Sequence, residues 1–109
     1  MITSLLWFAL AAVAEIIGCF AFWSWIRGES SAWWLIGGVA ALAAFAAILA
    51  KIDLPHAGRA YAAYGGIYIA ASVIWLWLAD GVRPTASDLG GAGLAIVGTL
   101  VILAGRSAH

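Results

Sequence analysis

The chain has 109 residues, a net charge of +0 and only 9% charged side chains, whereas 66% of its residues are hydrophobic. Soluble domains carry about 25% charged residues, so this chain has too few to cover a water-facing surface and is predicted to be an integral membrane protein. A neutral chain gives no electrostatic support for nucleic-acid binding, and a single cysteine, Cys19, excludes an internal disulfide.

Four apolar stretches are long enough to cross a bilayer, which takes roughly 20 helical residues. They are predicted over about 2–26, 32–50, 59–79 and 88–105. The segments between them, RGESS, KIDLPHAG and DGVRPTAS, combine Gly, Pro, Ser and Asp, as turns do. Because the loops are short, residues 1–109 are predicted to form a single all-α membrane domain with four transmembrane helices in up-down-up-down order.

Basic residues flank the spans almost evenly. Arg27 and Arg83 lie on one side of the membrane, and Lys51, Arg59 and Arg106 lie on the other. The positive-inside rule therefore leaves two hypotheses open: both termini in the cytoplasm, or insertion in both orientations to form an antiparallel dimer. Most of the tryptophans lie at the edge marked by Arg27 and Arg83, and we interpret them as an interfacial aromatic belt.

Glu15 is the only charged residue of the first span. Small and aromatic residues share its helical face and predict that the carboxylate lies in a recess. They are Phe8, Ala11, Ala12, Gly18, Cys19 and Phe22. An ionised acid at the centre of a span costs about 2.5–3.5 kcal/mol, and either a proton or a nearby cation relieves that cost. An acid that accepts one or the other is a physical basis for exchange.

The third span carries hydroxyl and aromatic side chains along one face. They are Tyr61, Tyr64, Tyr68, Ser72 and Trp75, with Gly65 among them. Tyr68 lies near the middle of the span, where its hydroxyl needs a partner or a water cavity, and Glu15 is the expected partner. Alternatively, Glu15 is a structural acid satisfied by Tyr68, Tyr61, Ser72 or an inward-pointing Arg59, a residue that otherwise extends to the membrane interface.

The other two spans carry small residues. The second, between residues 37 and 50, supplies no polar group, and the fourth carries Gly91 and Gly98 on one face, which is typical of a helix–helix contact within or between chains. No nucleophile–base pair or cluster of metal ligands is present, so we expect neither an enzyme nor a cofactor. His56 and His109 lie in a loop and in the tail.

The runs AEIIGCF (14–20) and PHAGRAYAAYGGIY (55–68) resemble the YnfA family of small bacterial inner-membrane proteins over essentially the whole chain. More distantly, the chain is similar to the small multidrug resistance transporters of the drug/metabolite transporter superfamily. This second resemblance implies an antiparallel homodimer in the bacterial inner membrane. It also implies exchange of protons for lipophilic, quaternary ammonium or guanidinium-like cations by alternating access.

The resemblance carries functional roles to five positions. They are Glu15 as the acid shared by proton and cation, Tyr61 and Tyr64 as the third-span aromatic pair, and Gly91 and Gly98 as the dimer contact. The chain departs from the multidrug pattern where Tyr64 replaces a tryptophan, Arg59 an apolar residue and Tyr68 a small one. These departures affect the expected substrate more than the expected mechanism.

The sequence therefore predicts a proton-coupled exporter of small organic cations that acts as a homodimer in a lipid bilayer. The residues expected to bind the proton or the cation are Glu15, Tyr61, Tyr64, Tyr68, Ser72 and Arg59. The alternatives are a passive ion channel and a non-transporting accessory membrane protein. A solitary acid facing a row of tyrosines favours transport, because ionisable residues inside spans mark ion and substrate pathways.

Overall fold

The computed structural model describes residues 2–105, which form α-helices joined by short loops and contain no strand. The helices are α1 (Ile2–Ile26), α2 (Trp34–Ala50), α3 (Ala57–Leu78) and α4 (Ala86–Gly105). They confirm the four predicted helices. Helices α1, α3 and α4 are long and apolar enough to cross a membrane, whereas α2 is apolar but shorter, with 17 residues. The interpretations of Arg106 and His109 fall outside the described residues.

Local capping contacts set several helix ends. Beyond α1, Gly28 adopts a positive φ of 75°, and the backbone N–H of Glu29 donates to the carbonyl of Ser24 at 2.8 Å, as in a Schellman motif. Before α4, Thr85 and Asp88 exchange side-chain to backbone hydrogen bonds of 2.9 and 3.1 Å. This reciprocal pair is a capping box, and it starts α4 at Ala86, slightly earlier than the sequence predicts.

The four helices form two hairpins. Helix α1 packs extensively on α2, α3 packs extensively on α4, and α1 and α3 join the two hairpins along a seam. Because the connecting loops 27–33, 51–56 and 79–85 are short, consecutive helices are antiparallel neighbours. The molecule measures 49 × 34 × 18 Å, so the hairpins lie side by side as a flat slab.

Small residues allow close approach within each hairpin. In the first hairpin, a Cβ atom on Gly18 would lie 2.6 Å from the side chain of Leu42 and 2.9 Å from the carbonyl oxygen of Gly38. In the second, a Cβ atom on Gly66 would overlap the carbonyl oxygen of Ala95 and the hydroxyl of Thr99. Glycine is therefore required at both crossings, as expected where helices associate through close packing in a membrane.

The buried core lies along the seam and fixes the two hairpins relative to one another. Its members come from α1, α3, α4 and the loop before α3. They are Phe8, Ala11, Ala12, Ile52, Ala60, Ala63, Tyr64 and Leu103. Elsewhere large apolar side chains face outward, including Trp33, Leu78 and Leu94, each at least 77% exposed. Such surfaces suit contact with lipid or with another protein.

Candidate functional site

A hydrogen bond across the seam joins the acid of α1 to a tyrosine of α3. The hydroxyl of Tyr64 donates to Oε1 of Glu15 at 2.6 Å, a distance typical of a short bond to a carboxylate. Tyr64 is 7% exposed, whereas Glu15 stays partly exposed. Within residues 2–105 this is the only side-chain hydrogen bond between α1 and α3, so the acid is held by one phenol.

The partner of Glu15 differs from the one expected. Tyr68 was the expected partner, because it lies near the middle of the third span, yet its hydroxyl makes no hydrogen bond within the part of the chain that the structure describes. Tyr64, one turn earlier, takes this role. The physical reason is the position of α3 along its own axis relative to α1. This position places Tyr64, in the N-terminal half of α3, rather than Tyr68, at the same height in the membrane as Glu15.

Three aromatic rings surround the Tyr64 ring. Its centroid lies 5.5 Å from that of Phe45, 6.0 Å from that of Phe8 and 6.1 Å from that of Tyr68. Tilted ring pairs at these distances are favourable. The three neighbouring rings therefore hold the Tyr64 phenol in the orientation that points toward Glu15. Phe45 was not identified from the sequence, although it is the only aromatic residue between positions 37 and 50 and could have been noticed for that reason.

Glu15, Tyr61 and Tyr64 line an open groove of about 400 Å³, which we call the inner groove. Its other lining residues come from α2 and are apolar. They are Phe45, Ala46, Leu49 and Ala50. Tyr61 is 58% exposed and stands at the rim. The structure thus brings together three of the six predicted binding residues: one carboxylate and two phenols against an apolar wall.

Tyr68 and Ser72 line a different groove of about 780 Å³, which we call the outer groove. It lies between α1 and α3, nearer their C-terminal ends, and Cys19, Trp23 and Trp75 also line it. The predicted stripe on α3 is therefore divided between two grooves. The rings of Tyr64, in the inner groove, and Tyr68, in the outer groove, are in contact and so connect the walls of the two grooves.

Arg59 is partly exposed and lines neither groove. Within residues 2–105 its guanidinium forms no ion pair, so it does not neutralise Glu15. The same part of the chain contains no group of His, Cys, Asp or Glu that could hold a metal ion. The acid therefore has a hydrogen-bond donor but no cation beside it.

Gly91 and Gly98 lie on an exposed face of α4, and a Cβ atom on either would meet no atom within 4 Å. They make no close contact inside the chain. Their assignment to a contact between two copies of the chain remains a prediction.

The comparisons with known proteins identify the family of the chain. A family model described as "Uncharacterised BCR, YnfA/UPF0060 family" matches residues 1–108. The chain is 52% identical over 107 residues to a UPF0060 membrane protein of Ectopseudomonas mendocina (strain ymp), a match that covers 98% of this chain and 97% of the relative. No solved structure matches the chain. The predicted YnfA resemblance is confirmed over almost the full length, and the chain belongs to the YnfA/UPF0060 family of membrane proteins.

Proposed function

We propose that this protein is a proton-coupled antiporter of the bacterial inner membrane that exports small or lipophilic organic cations, and that it acts as an antiparallel homodimer. The hydrogen bond between Tyr64 and Glu15, at the wall of an apolar groove, carries the proposal. The only acid of α1 therefore borders a space that a small molecule can enter.

The energetics of Glu15 favour a site that binds a positive charge. An ionised acid at mid-span costs about 2.5–3.5 kcal/mol on insertion scales. A hydrogen bond to a charged group contributes about 1.5–3 kcal/mol, so the Tyr64 hydroxyl offsets much of that cost. No cation lies beside the carboxylate within residues 2–105. A proton or a cationic ligand that binds Glu15 would offset the part of the cost that the hydrogen bond leaves.

The inner groove has the chemistry to accept an organic cation. Its volume of about 400 Å³ lies within the range of small-molecule sites, and its walls are mostly apolar. The rings of Tyr61, Tyr64 and Phe45 border it, and each aromatic face attracts a cation by about 0.5–2 kcal/mol. A cation that reaches Glu15 pairs with the carboxylate and displaces its proton, so each ligand excludes the other.

A second chain in the opposite orientation would complete this site. In one copy the inner groove is open, the glycine face of α4 is uncovered and the slab presents large apolar side chains. The nearly even distribution of basic residues is compatible with insertion in both orientations.

Proton release tests the exchange directly. Addition of tetraphenylphosphonium to the detergent-purified protein should release protons, and Glu15→Gln should abolish that release, because the amide carries no exchangeable acid proton. Glu29→Gln is the matched control, since Glu29 is an exposed loop acid outside the helices. If Glu15→Gln releases as many protons as the parent protein, the exchange mechanism is wrong.

Flux measurements separate the antiporter from its alternatives. In proteoliposomes an antiporter moves the cation only against an opposing flux of protons, whereas a passive channel dissipates a cation gradient without one. An accessory protein shows neither flux nor proton release.

Cysteine labelling tests the antiparallel arrangement. Lys51 and Arg83 are exposed and lie in loops at opposite ends of the helices. Each is replaced by cysteine in a Cys19→Ala background and labelled with an impermeant reagent. Labelling of both positions from both sides of the membrane is the expected result, and strictly one-sided labelling would overturn the antiparallel dimer.

A further inference from the structure

The outer groove carries chemistry that exchange at Glu15 does not use. It runs along α1 and α3 from Tyr68, beside the inner groove, to Asp80, just beyond the end of α3. Its walls are mainly apolar and aromatic, and Asp80 is the only formally charged residue that lines it. The groove therefore has a long apolar body with a carboxylate at one end.

The charge at the outer end favours a positive ligand. Asp80 is exposed and forms no ion pair or side-chain hydrogen bond in the range 2–105. It follows the last turn of α3, and the C-terminus of a helix carries a partial negative charge that attracts cations. The carboxylate and the helix end therefore act in the same direction.

Aromatic rings at the same end already hold a cation in this structure. The guanidinium carbon of Arg27 lies 3.9 Å from the centroid of the Trp23 ring. Close by, the rings of Phe20 and Trp75 pack with centroids 5.1 Å apart. Trp23, Phe20 and Trp75 all line the outer groove. Arg27 shows that at least one of these rings is placed to make a cation–π contact.

We infer that the outer groove is a second binding site, one for an amphipathic organic cation whose apolar body lies between α1 and α3 and whose positive group stands beside Asp80 and the tryptophans. Its volume of about 780 Å³ accommodates a ligand of drug size. The choice of an organic cation rests on the proposed function.

The position of this site relates it to Glu15. The inner end of the outer groove is formed by Tyr68, whose ring contacts that of Tyr64 with centroids 6.1 Å apart. Tyr64 in turn holds Glu15. A cation that moves from the outer groove toward the acid therefore meets the pair of tyrosines first, and the outer groove is an approach to the inner one from the membrane edge at Asp80.

Binding of tetraphenylphosphonium to the full chain with Glu15→Gln isolates the outer groove, because this substitution removes the inner acid. Equilibrium dialysis of the detergent-purified variant should show saturable binding. Adding Asp80→Asn should weaken it about three- to fivefold, the effect of losing one exposed charge pair. Asp53→Asn is the matched control, because Asp53 is an exposed acid in the loop between α2 and α3, at the other end of the molecule; it should leave the affinity unchanged.

Two further measurements examine the chemistry of the ligand. Arg27→Gln should strengthen binding about two- to fivefold, because it removes a competing cation from the Trp23 ring. Tetraphenylborate has the same shape as tetraphenylphosphonium and the opposite charge, so it should bind without saturation and without sensitivity to Asp80→Asn.

Absence of saturable tetraphenylphosphonium binding to Glu15→Gln would overturn the second site, as would binding that Asp80→Asn leaves unchanged. Equal saturable binding of both probes would identify the groove as a site for lipid chains instead. These failures leave proton release by the parent protein intact. Proton release that persists in Glu15→Gln defeats the proposed function, whatever the outer groove binds.

Discussion

The two hairpins pack by similar means but contribute differently to the site. Both bring their helices together at a glycine, Gly18 in the first and Gly66 in the second. The first hairpin supplies the acid and the apolar wall, whereas the second supplies the phenols. The second is also tied by a hydrogen bond of 2.6 Å from the Thr99 hydroxyl to the carbonyl of Ala63, and no side-chain hydrogen bond joins α1 to α2 in the described range.

This difference indicates that the second hairpin is the more rigid of the two. Ala63 precedes Tyr64, so the bond from Thr99 anchors the turn of α3 that presents the phenol. At Gly18 an added Cβ atom would meet the Leu42 side chain first and the carbonyl oxygen of Gly38 at 2.9 Å, whereas at Gly66 it would overlap the carbonyl group of Ala95 itself. We expect the second hairpin to hold its geometry more strictly, and the following substitutions test that expectation.

The largest effect is expected from alanine at the two glycine crossings. Gly66→Ala places a methyl group against the Ala95 backbone and should lower the free energy of unfolding by about 2–3 kcal/mol, the upper range for overpacking. Gly18→Ala meets the Leu42 side chain and, at 2.9 Å, the Gly38 carbonyl oxygen, and should cost less, about 1–2 kcal/mol, because part of the overlap is with a movable side chain. Equilibrium unfolding in mixed micelles measures both values.

The neighbouring glycines are matched controls for these crossings. A Cβ atom on Gly65 or Gly37 meets nothing within 4 Å, and both residues lie inside helices. Alanine there should leave stability unchanged or raise it by about 0.5–1 kcal/mol, because glycine loses more conformational entropy in a helix. If Gly18→Ala proves as costly as Gly66→Ala, the two hairpins are equally rigid.

An intermediate effect is expected at the bond across the seam. Tyr64→Phe removes the donor to Glu15 and should cost about 1–2 kcal/mol of stability. In a double-mutant cycle with Glu15→Ala, which removes the acceptor, the coupling energy should be of similar size. Tyr68→Phe is the control, because its hydroxyl has no hydrogen bond within residues 2–105. A coupling energy near zero for Tyr64 would contradict the assigned partner.

The smallest effect is expected at Thr99. Thr99→Val removes the hydroxyl at a position that is 2% exposed while keeping the shape, and should cost about 0.5–1 kcal/mol. Thr99→Ser keeps the hydroxyl and tests whether the hydrogen bond, rather than the packed methyl group, is responsible. The anchoring role is disproved if Val is tolerated better than Ser.

The helices and the acid were predictable from the sequence, since long apolar runs end at turn residues and a charge inside such a run is conspicuous. The choice between Tyr64 and Tyr68 was not. A helical stripe gives the face of each tyrosine, but its level opposite Glu15 depends on how far α3 is displaced along its axis. That level is set where α1 packs on α3, as in the contact between the rings of Phe8 and Tyr64, whose centroids lie 6.0 Å apart although the residues are distant in sequence.

The flat shape of the molecule has a consequence for its tolerance of mutation. In a slab with a shortest dimension of 18 Å, few side chains have protein on every side, and among the hydrophobic residues of the range 2–105 only Phe8, Ala11, Ala12 and Ala63 are 0% exposed. Over most of its outward-facing positions, a helix can exchange one apolar residue for another without disturbing a neighbour within the chain. Among relatives, the residues on the outward-facing sides of the helices should therefore vary most. The residues along the seam between the two hairpins should vary least.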